Sequence, residues 1–395
     1  MTIEKTIYLD NAATTPVRGE VMARMLPFFG ADFANPAAKY RFATNPWNAI
    51  EDSRMKIAAL IGATDPTEIY FTSSGTEADN WAIRGVCNAN PDKKHIVTTA
   101  FEHHAIMETC ADMERNGYEV TYVLPNREGR INPDDVKAAL RPDTAVVSVM
   151  YANNEIGSIQ PIAEIGRVCR AAAVPFHTDA VQAVGHIHVD VISDYVDLLS
   201  LSAHKFYGPK GVGALYVRKG VKIAPIIFGG MQEGNKRAGT HNVPGIAAIG
   251  VAAECAALEI RDEIPCLTKL RDKLQAGILD KIPYTSVNGG NNRLPGNLNV
   301  SFRFVESEAI LNLLDFKGVY ASSGSACNAD DLEASHVILA LGLTHEEANG
   351  TVRFSLGKYT KESDIDFVLD VLPPIIEKLR NMSPLYEDFV GGGSK

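Results

Sequence analysis

VDLLSLSAHKFYGPKGVG, residues 196–213, is the stretch on which the fold turns. Its opening run, 196–201, is short and mainly apolar and ends in turn residues, the pattern of a strand buried in a sheet. Ser202, His204 and Lys205 follow at once, then Gly208, Gly211 and Gly213. Polar, chemically able groups therefore stand at the end of a buried strand. The same arrangement recurs upstream. Apolar or β-branched runs at 68–72, 95–99, 120–124, 144–150 and 174–177 read as strands, with amphipathic helical patterns between several of them, as in 162–173. That alternation predicts an α/β fold with a mainly parallel sheet under helices. Ligands in such sheets gather beyond the carboxyl ends of the strands. Those ends carry residues 73–76, His103 with His104, residues 153–155, Asp179 with Gln182, and residues 202–205.

The pattern changes near Pro244. An Ala-rich helix (246–259) leads to a charged helix (262–282), then the strand NLNVSFRF, a helix at 307–314, the segment VYASSGSACNADD, a helix at 332–341, the strand TVRFSL and a last helix. The expected division is a large domain at 16–250 and a smaller α+β domain formed by 1–15 and 251–390, with GGGSK (391–395) a flexible tail. The N-terminal YLDNAATT is expected beside the smaller domain. A chain of 395 residues is long enough for two such cores.

Composition narrows the function classes. The formal net charge of −10 is spread along the chain, so neither nucleic acid nor an anionic membrane is an expected partner. No apolar run reads as a membrane span and the N-terminus is no signal peptide, leaving the cytoplasm as the expected compartment. Six cysteines (Cys87, Cys110, Cys169, Cys255, Cys266 and Cys327) form no CxxC pair, so no zinc site or disulfide framework is expected. Cys169 and Cys255 read as core. Cys327 differs, lying in the small, polar, glycine-containing SSGSACNADD, where an exposed thiol can ionise and attack.

Each strand end admits two readings. SSGTEADN after the first run is a phosphate cradle of backbone N–H groups with the Thr76 hydroxyl, or an ordinary capped helix. Asp179 in FHTDAVQA is an acid for a protonated pyridine nitrogen, or an N-cap. Gln182 bonds a ring oxygen, or is solvated. The His103–His104 pair moves protons near neutral pH, or is structural. Arg353 in TVRFSLG clamps a carboxylate, or pairs with an acid. Lys205 is the amine that condenses with an aldehyde once burial and neighbouring cations lower its pKa. With an acid nearby, it implies pyridoxal phosphate as cofactor.

Taken together, YLDNAATT, FTSSGTEADN, FEHHA, YANNEIG, HTDAVQA, SAHKFYGPKGVG, AGTHN, SSGSACNADDLEASH and RFSLGKYT run in order through nearly the whole chain. In these motifs the sequence resembles the cysteine desulfurases of the NifS/IscS type, class-V pyridoxal-phosphate enzymes of fold type I. The resemblance implies a large domain with a mainly parallel seven-stranded sheet plus a smaller α+β domain. Lys205 would hold the cofactor, Asp179 would face its ring nitrogen, Gln182 would bond the ring oxygen, and His104 would stack on the ring as acid/base. Gly75, Thr76, Ser202 and His204 would bind the phosphate, with Thr240 reaching in from the second subunit of a homodimer. Asn154 would touch cofactor and substrate, and with Arg353 would hold the carboxylate of L-cysteine. Cys327 would be the nucleophile that keeps the sulfur as a persulfide, and it is a candidate iron–sulfur ligand. The sulfur would pass to an acceptor or iron–sulfur scaffold protein. A related lyase or aminotransferase acting on selenocysteine or cysteine sulfinate, and a non-catalytic cofactor-bound scaffold, are the alternatives. Two segments depart from the family pattern: NPAAKYRFATNPWNAIED (35–52) replaces a stretch that usually bears His and Gly, and Gly234 stands where a second arginine is common.

Overall fold

Short strands that are apolar along their whole length can be satisfied only in a sheet covered on both faces. A computed structural model, which describes residues 6–323 and 334–391, places them so. In chain order the strands among these residues are β1 (Ile7–Tyr8), β2 (Ile69–Thr72), β3 (His95–Thr99), β4 (Glu119–Val123), β5 (Thr144–Ser148), β6 (Phe176–Asp179), β7 (Leu198–Ser202), β8 (Gly213–Val217), β9 (Thr285–Val287), β10 (Asn297–Phe302), β11 (Val319–Tyr320) and β12 (Thr351–Ser355).

The main sheet has seven strands in the order β2-β8-β7-β6-β5-β3-β4. Only β8 runs against its neighbours, β2 and β7. Every residue of β3, β5, β6, β7 and β8 is buried. β8 is not among the runs expected as strands, since it follows directly on Gly208 and Gly211 and itself begins with Gly213. Its first residue explains the glycine: a Cβ on Gly213 would lie 2.7 Å from the Leu201 carbonyl oxygen and 2.8 Å from the Ser74 carbonyl carbon. No side chain fits between the ends of β2 and β7, so the glycine marks a close approach of backbones rather than a turn.

The two helices expected at 246–259 and 262–282 are one helix, Val243–Lys281, continuous through Pro265. Its first third buries Ile246, Ile249 and Ala253 in the core under the main sheet, and its last third buries Leu270, Leu274 and Ile278 in a second core. Between them the helix is solvent-facing, with Leu258 77% exposed, so the sequence loses its apolar period there and reads as a break. This helix is also long and apolar enough to cross a membrane by length and composition, yet half of its most apolar stretch is buried inside the protein, as in a core helix.

The second core lies under the antiparallel sheet β9-β10-β12 and the parallel pair β1-β11. The N-terminal strand thus belongs with the C-terminal third of the chain, and the Ser355 N–H donates to the Leu9 carbonyl at 2.7 Å. Residues 9–15 then run across the carboxyl edge of the main sheet, where the Thr15 N–H donates to the His204 carbonyl at 2.9 Å. That crossing covers the strand ends and closes the site.

Candidate active site

Five strand ends converge on one cavity of about 270 Å³. Of the residues read from the sequence, Gly75, Thr76, Asn154, Asp179, Gln182, Ser202, His204, Lys205 and Arg353 line it.

One wall is the start of the helix Gly75–Ala89. Ser74 caps it, accepting the Glu77 N–H at 3.1 Å, while the Glu77 carboxylate accepts the Ser73 N–H at 2.7 Å. The capped-helix reading is therefore right, and it does not exclude the other: a helix start still presents N–H groups without helical partners, and a dipole that favours an anion. Gly75 is required, because a Cβ there would come within 2.7 Å of Val181 Cγ2. Outside the wall, Arg237 holds Glu77 through two bonds of 2.8 and 3.0 Å.

The floor is made of buried acids. Asp179 ends β6 and accepts the Val181 N–H at 2.9 Å. Burial raises its pKa to about 6, against the pull of that N–H and the charge of Lys205. Asp79, one turn into the capped helix, also lines the cavity. Burial, and then the charge of Asp179, push it well above the usual carboxylate range. Its Oδ1 has no hydrogen-bond partner among the described residues. His177 sits between Ser148 Oγ (2.8 Å) and Ser200 Oγ (3.0 Å), and burial lowers its pKa to about 3. Two neighbouring acids sealed from water cannot both ionise at low cost. Burial works harder against ionisation of Asp79 than of Asp179, which has the Val181 N–H and the Lys205 charge on its side.

Lys205 reaches across from β7, its Nζ donating to the Ala12 carbonyl at 2.6 Å and the Ala13 carbonyl at 3.0 Å. Gln182 Nε2 donates to the same Ala12 oxygen at 2.9 Å. On the opposite side, Arg353 of β12 donates through Nη1 to the Asn154 carbonyl (3.0 Å) and through Nη2 to Asp10 Oδ1 (2.8 Å). It pairs with an acid and also faces the cavity. Among the described residues its buried Nε and the buried Asn154 Oδ1 lack partners. Orphaned polar atoms on lining residues are what a site looks like before its ligand completes it.

The histidines need a correction. His103, not His104, lines the cavity. His103 is the N-cap of the helix His104–Arg115, and its Nδ1 accepts the Ala105 N–H at 3.1 Å. An N-cap has extended backbone and points back over the strand ends, whereas the next residue is already turned onto the helix. His104 accordingly meets His336, ring centroids 4.9 Å apart. Burial first, then the charge of Lys205, lower the His103 pKa to about 4. The ring is neutral, and the Ala105 bond leaves its proton on Nε2. Nothing in the adjacent letters of FEHHA distinguishes the two; the apolar positions Ile106, Cys110 and Met113 could have, by fixing which way His104 faces.

Thr240 is exposed and lies outside the cavity. Cys327 lies outside the described residues. Cys87, Cys110 and Cys169 are buried, burial raising each thiol. Cys255, read as core, is only partly buried, 3.9 Å from Glu20 Oε1; the helix that carries it leaves the core at that turn. Among the described residues no cluster of three or more His, Cys, Asp or Glu side chains could hold a metal. The divergent segment 35–52 forms a short turn and the start of the helix Thr44–Leu60, with Tyr40, Phe42 and Trp47 exposed.

Comparisons with known proteins agree with this geometry. A family model described as class-V aminotransferase matches residues 7–368. The cysteine desulfurase IscS of Methanosarcina thermophila is 53% identical over 386 residues, covering 97% of this chain and 95% of that protein. Among solved structures, a NifS-like protein superposes with a TM-score of 0.89 at 36% identity, covering 95% of this chain and all of that one. A structure titled SspA in complex with cysteine gives 0.81 at 38% identity, covering 90% of this chain and all of that one.

Proposed function

Because the chain belongs to the class-V aminotransferase family, and within it to the cysteine desulfurases, we infer that it converts L-cysteine to L-alanine with pyridoxal phosphate as cofactor. The observation that carries this reading is Lys205, placed in one cavity between a buried Asp179 and the helix start at Gly75. The residues fit the cofactor. A cradle that a single Cβ would fill suits a phosphate, and an unneutralised carboxylate suits a protonated ring nitrogen. Gly75, Thr76, Ser202 and His204 would hold the phosphate, Asp179 the ring nitrogen, Gln182 the ring oxygen, and Lys205 the aldehyde carbon. When bound, the cofactor supplies an electron sink that loosens the bonds to the substrate Cα.

This chain's own residues do the rest. Arg353 and Asn154 take the substrate carboxylate, which orients the amino group towards Lys205. The Lys205 amine removes the Cα proton and later returns one. His103 faces the substrate as a neutral ring and takes the substrate thiol's proton at Nδ1 as the sulfur is attacked, giving up the Ala105 bond. The thiolate of Cys327 attacks the substrate sulfur: a sulfur–sulfur bond forms, the carbon–sulfur bond breaks, and the electron pair stays with carbon until it is protonated. Alanine leaves and Cys327 keeps the second sulfur as a persulfide. In this reading the enzyme is a cytoplasmic homodimer in which Thr240 completes the partner's phosphate site. A sulfur acceptor or iron–sulfur scaffold protein then discharges Cys327. The division into a cofactor domain (16–250) and a smaller domain carrying the cysteine belongs to the same proposal.

Alanine released from L-cysteine by the purified protein, with and without Cys327→Ser, tests the assignment. The parent should form alanine together with a persulfide mass on Cys327, and the variant should bind cofactor yet release none. Undiminished alanine from Cys327→Ser would mean that another group accepts the sulfur.

A further inference from the structure

Lys205 is held from two sides. In front, its amine meets the Ala12 and Ala13 carbonyls. Behind, its own carbonyl oxygen lies 2.8 Å from His186 Nε2. A carbonyl only accepts, so Nε2 carries the hydrogen. Burial and the charge of Lys205 lower the His186 pKa, despite the opposing effect of the Lys205 carbonyl, and the ring donates as neutral imidazole.

The approach of these two segments is built in. Gly185 has φ of +83°, and a Cβ there would lie 2.6 Å from Cβ of Phe206, the residue after the lysine. The turn after β6 is thus pressed onto the chain after β7. That one turn carries Asp179, Gln182 and His186. His186 lines a small second cavity of about 30 Å³ that shares with the main one Gln182 and Ala12, whose carbonyl holds the lysine amine. No part of His186 lines the main cavity.

We propose that His186 is a positioning residue for Lys205: its Nε2–H fixes the plane of the Lys205–Phe206 peptide, and so the direction in which the amine enters the cavity. The inference rests on the reading of Lys205 as the cofactor-holding residue. The other titratable groups that face Lys205 are Asp179, His103 and His204, each of which feels its charge.

The test uses the holoenzyme and two substitutions. His186→Leu removes the donor, whereas His186→Gln offers an amide N–H at the reach of Nε2. Three quantities are read: the affinity of the apoprotein for pyridoxal phosphate, the pH midpoint of the lysine-linked cofactor's visible absorbance, and the urea midpoint. The Leu variant should bind cofactor about 10-fold more weakly, the worth of one lost hydrogen bond. Its absorbance midpoint should move by roughly half a pH unit or more, and Gln should restore both. A Leu variant that loses urea resistance but keeps the parent's affinity and pH midpoint would reduce His186 to a structural residue and overturn the proposal. Should Leu not fold, His186→Asn replaces it. Its amide falls one methylene short, so it should show the defect that Gln does not, and equal behaviour of the two overturns the inference. If the parent itself shows no lysine-linked absorbance, the reading of Lys205 fails first.

Discussion

Glu233 and Asp179 are both carboxylates sealed from water, yet their surroundings shift them in opposite directions. Glu233 accepts four hydrogen bonds: from Arg54 Nη1 (2.9 Å) and Nη2 (3.0 Å), the Phe71 N–H (2.9 Å) and His241 Nε2 (2.8 Å). Burial alone would raise its pKa, but these donors and the Arg54 charge hold it down at about 2. Asp179 accepts one backbone N–H, and burial lifts it to about 6. Its neighbours follow it. Among the described residues Asp79 leaves an oxygen unbonded, and Glu102, pushed to about 8 by burial, uses one oxygen for Thr99 Oγ1 and the Met150 N–H and leaves the other without a partner. A saturated buried acid holds a fold together; an unsaturated one that lines a cavity, as Asp179 and Asp79 do, is open to a ligand. The saturated one here secures a loop in which Glu233, Gly234 and Asn235 all have positive φ (+46°, +62° and +66°), a strain that only a firm anchor sustains. Gly234, where the family commonly has a second arginine, therefore takes the middle of that left-handed run.

Four experiments would break or sharpen the contrast. The largest effect is expected at the cavity histidine: His103→Ala should lower alanine formation by about 10²–10⁴-fold, and His104→Ala by less than about 10-fold, in steady-state assays on the two variants. The reverse order would return the acid/base role to His104. Next comes the anchor. Glu233→Ala leaves Arg54 buried without its carboxylate and should cost about 3–5 kcal/mol in urea unfolding; a loss under about 1 kcal/mol would erase the distinction between the two kinds of acid. Asp179→Asn should do the opposite. It should weaken cofactor binding by about 10–100-fold, the worth of a charged hydrogen bond, without lowering the stability of the apoprotein. An apoprotein destabilised as much as Glu233→Ala would make Asp179 structural.

The smallest effect is in the pH dependence of apoprotein stability. Glu102 has a folded pKa above its unfolded value of about 4.3, so its contribution is fully present below that pH and is lost as pH rises towards about 8. Glu233 has a folded pKa below the unfolded one, so its contribution is present above about pH 4.3 and is lost as pH falls towards about 2. Glu102→Gln should therefore flatten the limb between pH 5 and 8, and Glu233→Gln the acid limb, each by about 1.4 kcal/mol per pH unit at most. Urea midpoints of the apoproteins across pH would show it, and limbs exchanged between the variants would contradict the pairing scheme.

Much of the site was legible in the chain because strand ends are local features. An apolar run says where a strand stops, and the next few residues stand at its mouth; Asp179, Lys205 and Gly75 were read that way, and all three line the cavity. Arg353 was legible as a charged residue in an apolar strand. Asp79 was not, since an acid one turn inside an amphipathic helix looks solvated until Asp179 and His177 are seen packed against that face. His186 gave no signal either, because its partner is a backbone carbonyl, and every residue has one.

The sequence by itself determined the alternation of strand and helix, the polar groups at each strand end and the family. All of these depend on periodicity and on short motifs read along the chain. Tertiary structure decided which of two adjacent histidines enters the cavity, that one helix spans both cores, and that β8 slips antiparallel between β2 and β7. It also decided which buried acids are satisfied. Those outcomes depend on the direction of a side chain and on partners distant in sequence, as Glu233 depends on Arg54, and both come into being only when the chain has packed.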